Sequence, residues 1–200
     1  MTHSHFSIGA RVATLAAAVL LNAPAQAGER CYDFGRLADN TRWEVGAEIQ
    51  IPIGTVHVRD LLVNGTPYVE LTANKFLLAK ADQQMAGGNE RGEVYGKNVA
   101  LQFVPGEPVT RISMKLAHQP GPNGALPNFV QVNNGQRHEF RGSLAQMHGK
   151  TIGGGALKVE LPGAQGNLLI GRLSVSAPGG ISSFTLGAAE LHIDDVCFER

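Results

Sequence analysis

The sequence predicts an all-β fold, a sandwich or barrel of antiparallel strands. Three observations carry that expectation. Short segments alternate apolar and polar residues with period two. Turn signals built from Gly, Pro and Asn separate them at spacings of roughly 8–12 residues. No stretch of ten or more residues in the chain beyond residue 27 shows helical periodicity.

Val56 to Val63 runs into Asn64-Gly65, a pair that favours the left-handed conformations of a two-residue hairpin turn, and Tyr68 to Thr72 follows it. Asn98 to Val104 and Thr110 to Leu116 flank the turn Pro105-Gly106-Glu107-Pro108. Phe129 to Val132 enters a second hairpin signal, Asn133-Asn134-Gly135, and Arg137 to Phe140 leaves it. Ala156 to Leu161 alternates cleanly and stops at Pro162-Gly163. Leu168 to Val175, Phe184 to Leu186 and Ala189 to Phe198 complete the set. One short helix fits either Arg141 to Met147 or Ala79 to Met85. The longest loops fall at Gln83 to Gly92 and Gln119 to Asn128, where a binding site on a sandwich would naturally lie.

The first 27 residues carry the signs of a secretory signal peptide. Arg11 gives a basic start, Val12 to Leu21 is apolar, and Ala25-Gln26-Ala27 is a small-x-small cleavage pattern. The apolar run is too short to span a bilayer, which takes about 20 residues. The expected mature domain is therefore residues 28–200, a single domain, with no membrane span after cleavage. Its 16 basic and 17 acidic residues nearly cancel. That balance offers no electrostatic footprint for nucleic acid.

The two cysteines, Cys31 and Cys197, stand near the two ends of the expected mature chain. In an exported protein such a pair most simply forms one disulfide, tying the first strand to the last.

Two stretches resemble uncharacterised exported bacterial proteins with a jelly-roll, galactose-binding-like sandwich. One is Cys31-Tyr32-Asp33-Phe34-Gly35 with Trp43-Glu44-Val45-Gly46. The other runs from Leu144 through Gly149-Lys150-Thr151-Ile152-Gly153-Gly154 and Ile181-Ser182-Ser183-Phe184 to Glu190-Leu191-His192-Ile193-Asp194-Asp195-Val196-Cys197. The likeness covers residues 31–46 and 144–198 and departs at Ala188-Ala189, where the pattern has Gly and a polar residue. It implies a jelly-roll topology, and the Ile-Asp-Asp-Val close is shared with carbohydrate-binding jelly rolls. A structural Ca²⁺ near the chain ends is also implied.

Simple alternation in the last strand puts Leu191, Ile193, Asp195 and Cys197 on one face, so Asp195 points inward. A buried carboxylate needs a partner. One reading is Ca²⁺ held by Asp33, Glu190, Asp194 or Asp195, since hard oxygen ligands suit that ion. The other is a β-bulge that turns the pair, with loop N–H groups donating to the carboxylates. The histidines His57, His118, His138, His148 and His192 lack zinc-like spacing, and His57 and His192 are expected on outward faces.

No nucleophile elbow, P-loop or dinucleotide fingerprint is present. His138-Glu139 reads as a solvated face beside a hairpin. For a sugar ligand the candidate residues are Tyr95, Arg91, Asn89, Asn128, Gln131 and Trp43, although Trp43 equally suits the core. The expected function is an exported, non-catalytic sandwich that binds carbohydrate or another extracellular polymer. The alternatives are a self-assembling surface, matrix or fibre subunit, and a hydrolase with an unrecognised site.

Overall fold

The computed structural model describes residues 28–68, 74–80, 85–86 and 92–200. The expected signal peptide, most of the segment Tyr68 to Thr72, and Asn89 and Arg91 lie outside them. No helix among the described residues is long and apolar enough to cross a membrane.

Fifteen strands follow one another among the described residues. The first seven are short: β1 (Glu29–Tyr32), β2 (Arg42–Trp43), β3 (Glu48–Ile51), β4 (Gly54–Asp60), β5 (Leu62–Val63), β6 (Thr66–Pro67) and β7 (Phe76–Lys80). The long β8 (Glu93–Pro105) and β9 (Val109–His118) come next, then β10 (Pro127–Val132), β11 (His138–Arg141) and β12 (Thr151–Ile152). The chain ends on β13 (Gly155–Gln165), β14 (Leu168–Ile181) and β15 (Phe184–Glu199). The only helical turns among the described residues are 3₁₀, at Pro122–Gly124 and Leu144–Met147. The second falls inside the first of the two expected helix positions. At the other position Ala79 and Lys80 end β7 rather than starting a helix, and residues 81–84 lie outside the described residues.

All strand pairs are antiparallel, and one hydrogen-bonded network runs β12-β13-β14-β9-β15-β8-β4-β3. Strands β13 and β4 stand far apart in that order. Yet Leu157 and Val159 of one belong to the same buried cluster as Val56 and Val58 of the other. The sheet therefore folds over one main core, as a β-sandwich does, and a smaller cluster of Leu61, Ala100, Phe129 and Ala189 lies apart from it. Two-residue periodicity supplies that core directly: Ile112, Met114 and Leu116 of β9 point inward while Ser113 and Lys115 alternate with them.

The last strand sits at the centre. β15 pairs with β8 along Phe184 to Ile193 and with β9 along Leu191 to Glu199. β10 lines its beginning and β1 its end. Consecutive β8 and β9 are thus separated by β15 rather than joined as a hairpin. At Asn64-Gly65 the two-residue hairpin forms as expected, with φ of 51° and 76°. The terminal disulfide joins Cys31 to Cys197, residues directly opposite in the β1–β15 register.

Register shifts in β13 between Glu160 and Gly163. The bend brings Gly171 of β14 so close that a Cβ there would collide with the Glu160 carbonyl and the Leu161 backbone. Only backbone could yield. Gly171→Ala is expected to lower stability by about 1–3 kcal/mol, read from the urea midpoint; an unchanged midpoint would mean that the two strands have room to part.

Candidate functional site

Strand register assembles a polar surface that no single segment contains. Across β4, β8, β15 and β10, His57 stands opposite Gln102, Gln102 opposite Thr185, and Thr185 opposite Gln131. Directly opposed residues share a face and lie about 4.5–5.5 Å apart. Their neighbours along the strands, Val56, Val58, Leu101, Phe103, Phe184, Leu186, Val130 and Val132, all enter the core. The four polar side chains therefore point away from it; Thr185 is itself buried, and His57, Gln102 and Gln131 are half-buried. The next row reads Arg59, Ala100, Gly187, Phe129. Ala100 and Phe129 of this row are buried in a small second apolar cluster with Leu61 and Ala189. A Cβ on Gly187 would come within 2.5 Å of the Phe129 ring.

Gln102, Thr185, Gln131 and Phe129 floor a cleft of about 310 Å³, walled by Arg59, Asp60, Leu62 and Arg137. Arg59 is exposed and donates from Nε to the Gln102 amide oxygen at 3.1 Å. That leaves the Gln102 amide N–H₂ and the rest of the guanidinium facing the cleft. Gln131 is fixed by an Nε2 hydrogen bond to the Gly135 carbonyl at 2.8 Å, which leaves its amide oxygen as an acceptor. Arg137 lies over the Phe129 ring at 5.3 Å and pairs with Glu139 at 2.7 Å. Both carboxylates at the rim are occupied: Asp60 by Lys75 at 2.6 Å and Glu139 by Arg137. The site offers fixed amides, a hydroxyl and guanidinium groups, and no unengaged acid.

Glu139 corrects one expectation. It is half-exposed rather than fully solvated, and it also clamps the Asn64-Gly65 turn. Its Oε2 accepts the Asn64 N–H at 2.5 Å. Burial pushes its carboxyl up, but donation from Asn64 and Arg137 outweighs this and holds it below the ordinary carboxylate range.

At the other end of β15 the closing acid pair is resolved by a bulge. Register shifts between Asp194 and Cys197, and Asp195 takes φ 46°. Leu191 and Ile193 face the core before the bulge, Val196 and Phe198 after it. The extra residue reverses the alternation, so Asp195 does not point inward as simple period-two counting has it. Its Oδ2 instead meets the Lys115 ammonium at 2.7 Å. Asp194 is the fully buried one. Its Oδ1 accepts the Asp195 N–H at 2.7 Å, and its Oδ2 has no partner among the described residues. Burial above all, then the nearby charges of Asp195, Glu93 and Asp33, push its carboxyl up to about 7.

Glu93 and His192 lie beside it. His192 donates from Nδ1 to Glu93 Oε1 at 2.7 Å, and the Ala86 N–H donates to Oε2 at 2.8 Å. His192 does alternate away from the core, but it is buried rather than solvated. Tyr95 packs its ring on His192 at 4.7 Å and reaches Glu190 with its hydroxyl at 3.5 Å. Burial, then the Glu190 charge, pushes Tyr95 up to about 12.

The four carboxylates considered for Ca²⁺ do not converge into a cage. Glu190 is engaged by Tyr95 and Asp195 by Lys115. Among the described residues the triad of ligand atoms within 4.8 Å is Glu29 with Cys31 and Cys197, whose sulfurs are bonded to each other.

Of the sugar-site candidates, Gln131 stands in the polar row. Asn128 is buried, with its Nδ2 spent on the Leu126 and Gly142 carbonyls at 3.2 and 2.8 Å. Trp43 packs against the core with its edge half-buried. Tyr95 belongs to the acid–histidine cluster. Arg59, Gln102, Thr185 and Arg137 were not singled out in the sequence. Arg59, Gln102 and Thr185 occupy outward positions in alternating strands and Arg137 stands just before β11, but only strand order brings them together.

No protein-family model and no curated protein matches the chain. Among solved structures, the K2 cleaved adhesin domain of Lys-gingipain (Kgp) aligns over 86% of this chain and 100% of that one, at 10% identity and a TM-score of 0.37. A likeness that remote carries no argument about function.

Proposed function

We propose that this protein is an exported, non-catalytic binding module whose ligand is a carbohydrate segment of an extracellular polymer, held on the row Gln102–Thr185–Gln131 beside Arg59. The observation that carries the reading is the register itself. It fixes amide and hydroxyl groups side by side at strand spacing, a pattern that suits the vicinal hydroxyls of a sugar ring. Side chains held by a sheet lose little freedom on binding, which favours affinity. Both rim carboxylates are committed to ion pairs, so the cleft supplies hydrogen bonds rather than an acid–base pair. The disulfide supports an oxidising compartment, in keeping with the expected signal peptide.

Retention of residues 28–200 on an immobilised glycan panel tests the reading. Binding to at least one polysaccharide is expected, with roughly a tenfold loss of affinity for Arg59→Ala or Gln102→Ala, the value of one or two ligand hydrogen bonds. Retention on no glycan, or retention untouched by both variants, would overturn it.

A further inference from the structure

A second cleft lies on the other side of the molecule's strand order, where β13, β14 and β9 run together. Its volume is about 720 Å³, within the range of small-molecule sites. The register bend in β13 shapes it. Leu161 and Pro162 sit between the two register segments, and Ile170 of β14 lies against Gly163. These side chains give the cleft an apolar wall, while Gly163 and Gly171 leave the surface between them bare.

Two cations edge this wall. Lys115 and Arg172 face each other across β9 and β14, and both also line a smaller adjoining cleft of about 250 Å³ beside the disulfide. The register row is Glu160, Arg172, Lys115, Asp194. The two bases stand side by side with an acid at each end of the row, but the chain pairs them otherwise. Glu160 turns along its own strand to Lys158 at 3.0 Å, and Lys115 goes to Asp195 at 2.7 Å. Arg172 is left exposed with no carboxylate partner among the described residues, at the edge of an apolar surface.

We infer that this cleft is a binding site for a small amphipathic carboxylate, whose acid group pairs with the Arg172 guanidinium while its apolar body lies on Leu161, Pro162 and Ile170. A guanidinium can take both oxygens of a carboxylate at once, which orients the ligand as well as holding it. The apolar surface supplies affinity that an inorganic anion would lack. The site is separate from the polar row and does not depend on it.

Two sources offer this chemistry: a free aryl or alkyl acid, and the C-terminus of a peptide ending in an apolar residue. The probes are 2-naphthoate with its uncharged counterpart 2-naphthalenemethanol, and acetyl-Gly-Gly-Phe with its C-terminal amide. Calorimetry on the oxidised domain is expected to show binding of at least one acid, with its uncharged counterpart about tenfold weaker or worse. Arg172→Gln, an exposed position, should erase that difference, and Ile170→Asn should weaken acid and counterpart alike. Binding of neither acid, or a charge preference that survives Arg172→Gln, would overturn the inference. Preference for the free acid over the peptide, or the reverse, names the source.

Discussion

Replacing both cysteines, Cys31→Ser with Cys197→Ser, is expected to cost the domain about 3–5 kcal/mol, the largest effect of any change away from the core. The reason lies in the unfolded chain. The bond closes a loop spanning 166 residues, and chain-entropy arithmetic for so long a loop gives roughly 5 kcal/mol. The native state adds a local term. β1 is a four-residue strand, exposed at three of its positions, and it pairs with β15 alone. It has little burial of its own to keep it in place. Guanidinium unfolding of the double variant against the oxidised protein checks both parts. A drop below about 1 kcal/mol would show that the unfolded chain is already compact, so that the bond has little entropy to remove.

Asp194→Asn is expected to stabilise the protein at pH 8, by on the order of 4 kcal/mol. The buried carboxyl holds its proton up to about 7 against an ordinary 3.8. The folded state therefore binds more protons than the unfolded state between those two pH values. Stability falls as pH rises through that window and is level above it. Each unit of displacement is worth about 1.4 kcal/mol. Asn keeps the acceptor for the Asp195 N–H and puts a donor where the second oxygen has none, so its gain is full at pH 8 and gone near pH 4.

His118 works in the opposite direction. It is fully buried, its Nε2 accepts the Leu144 N–H at 3.2 Å, and burial lowers it from 6.5 to about 4. There the unfolded state takes the proton first, so stability is lost as pH falls from 6.5 toward 4. In the natural sequence the two slopes nearly cancel over that interval. Asp194→Asn removes one of them and should expose the other, as a fall in midpoint between pH 6.5 and 4. A variant less stable than the parent at pH 8, or a gain independent of pH, would mean that the Asp194 carboxyl is ionised and partnered in the fold.

Much of the local structure was legible because its causes are local. Period-two alternation placed Ile112, Met114 and Leu116 on one face without any knowledge of their neighbours. Asn64 and Gly65 both adopt positive φ at little cost, so their hairpin followed from two residues. Near-terminal cysteines in a chain expected to be exported were enough to pair Cys31 with Cys197. The candidate sites were less legible. Asn128 has the right chemistry for a ligand, yet its amide closes on carbonyls at Leu126 and Gly142, and no sequence pattern reports where a backbone carbonyl will stand.

The sequence by itself determined that the chain is all-β, where most strands and turns lie, which residues face the core, and that its ends are tied. Those properties depend on steric limits and apolar spacing within a few residues. Only the tertiary structure decided strand order. β8 and β9 read as neighbours joined by a turn, but β15, the last strand made, lies between them. That placement sets Gln102, Thr185 and Gln131 in one row, and Lys115 opposite Arg172. A bulge of one residue reverses the alternation and buries Asp194 in place of Asp195. Alternation specifies a face and not a partner, so the sites appear only when long-range pairing has chosen which strands lie side by side.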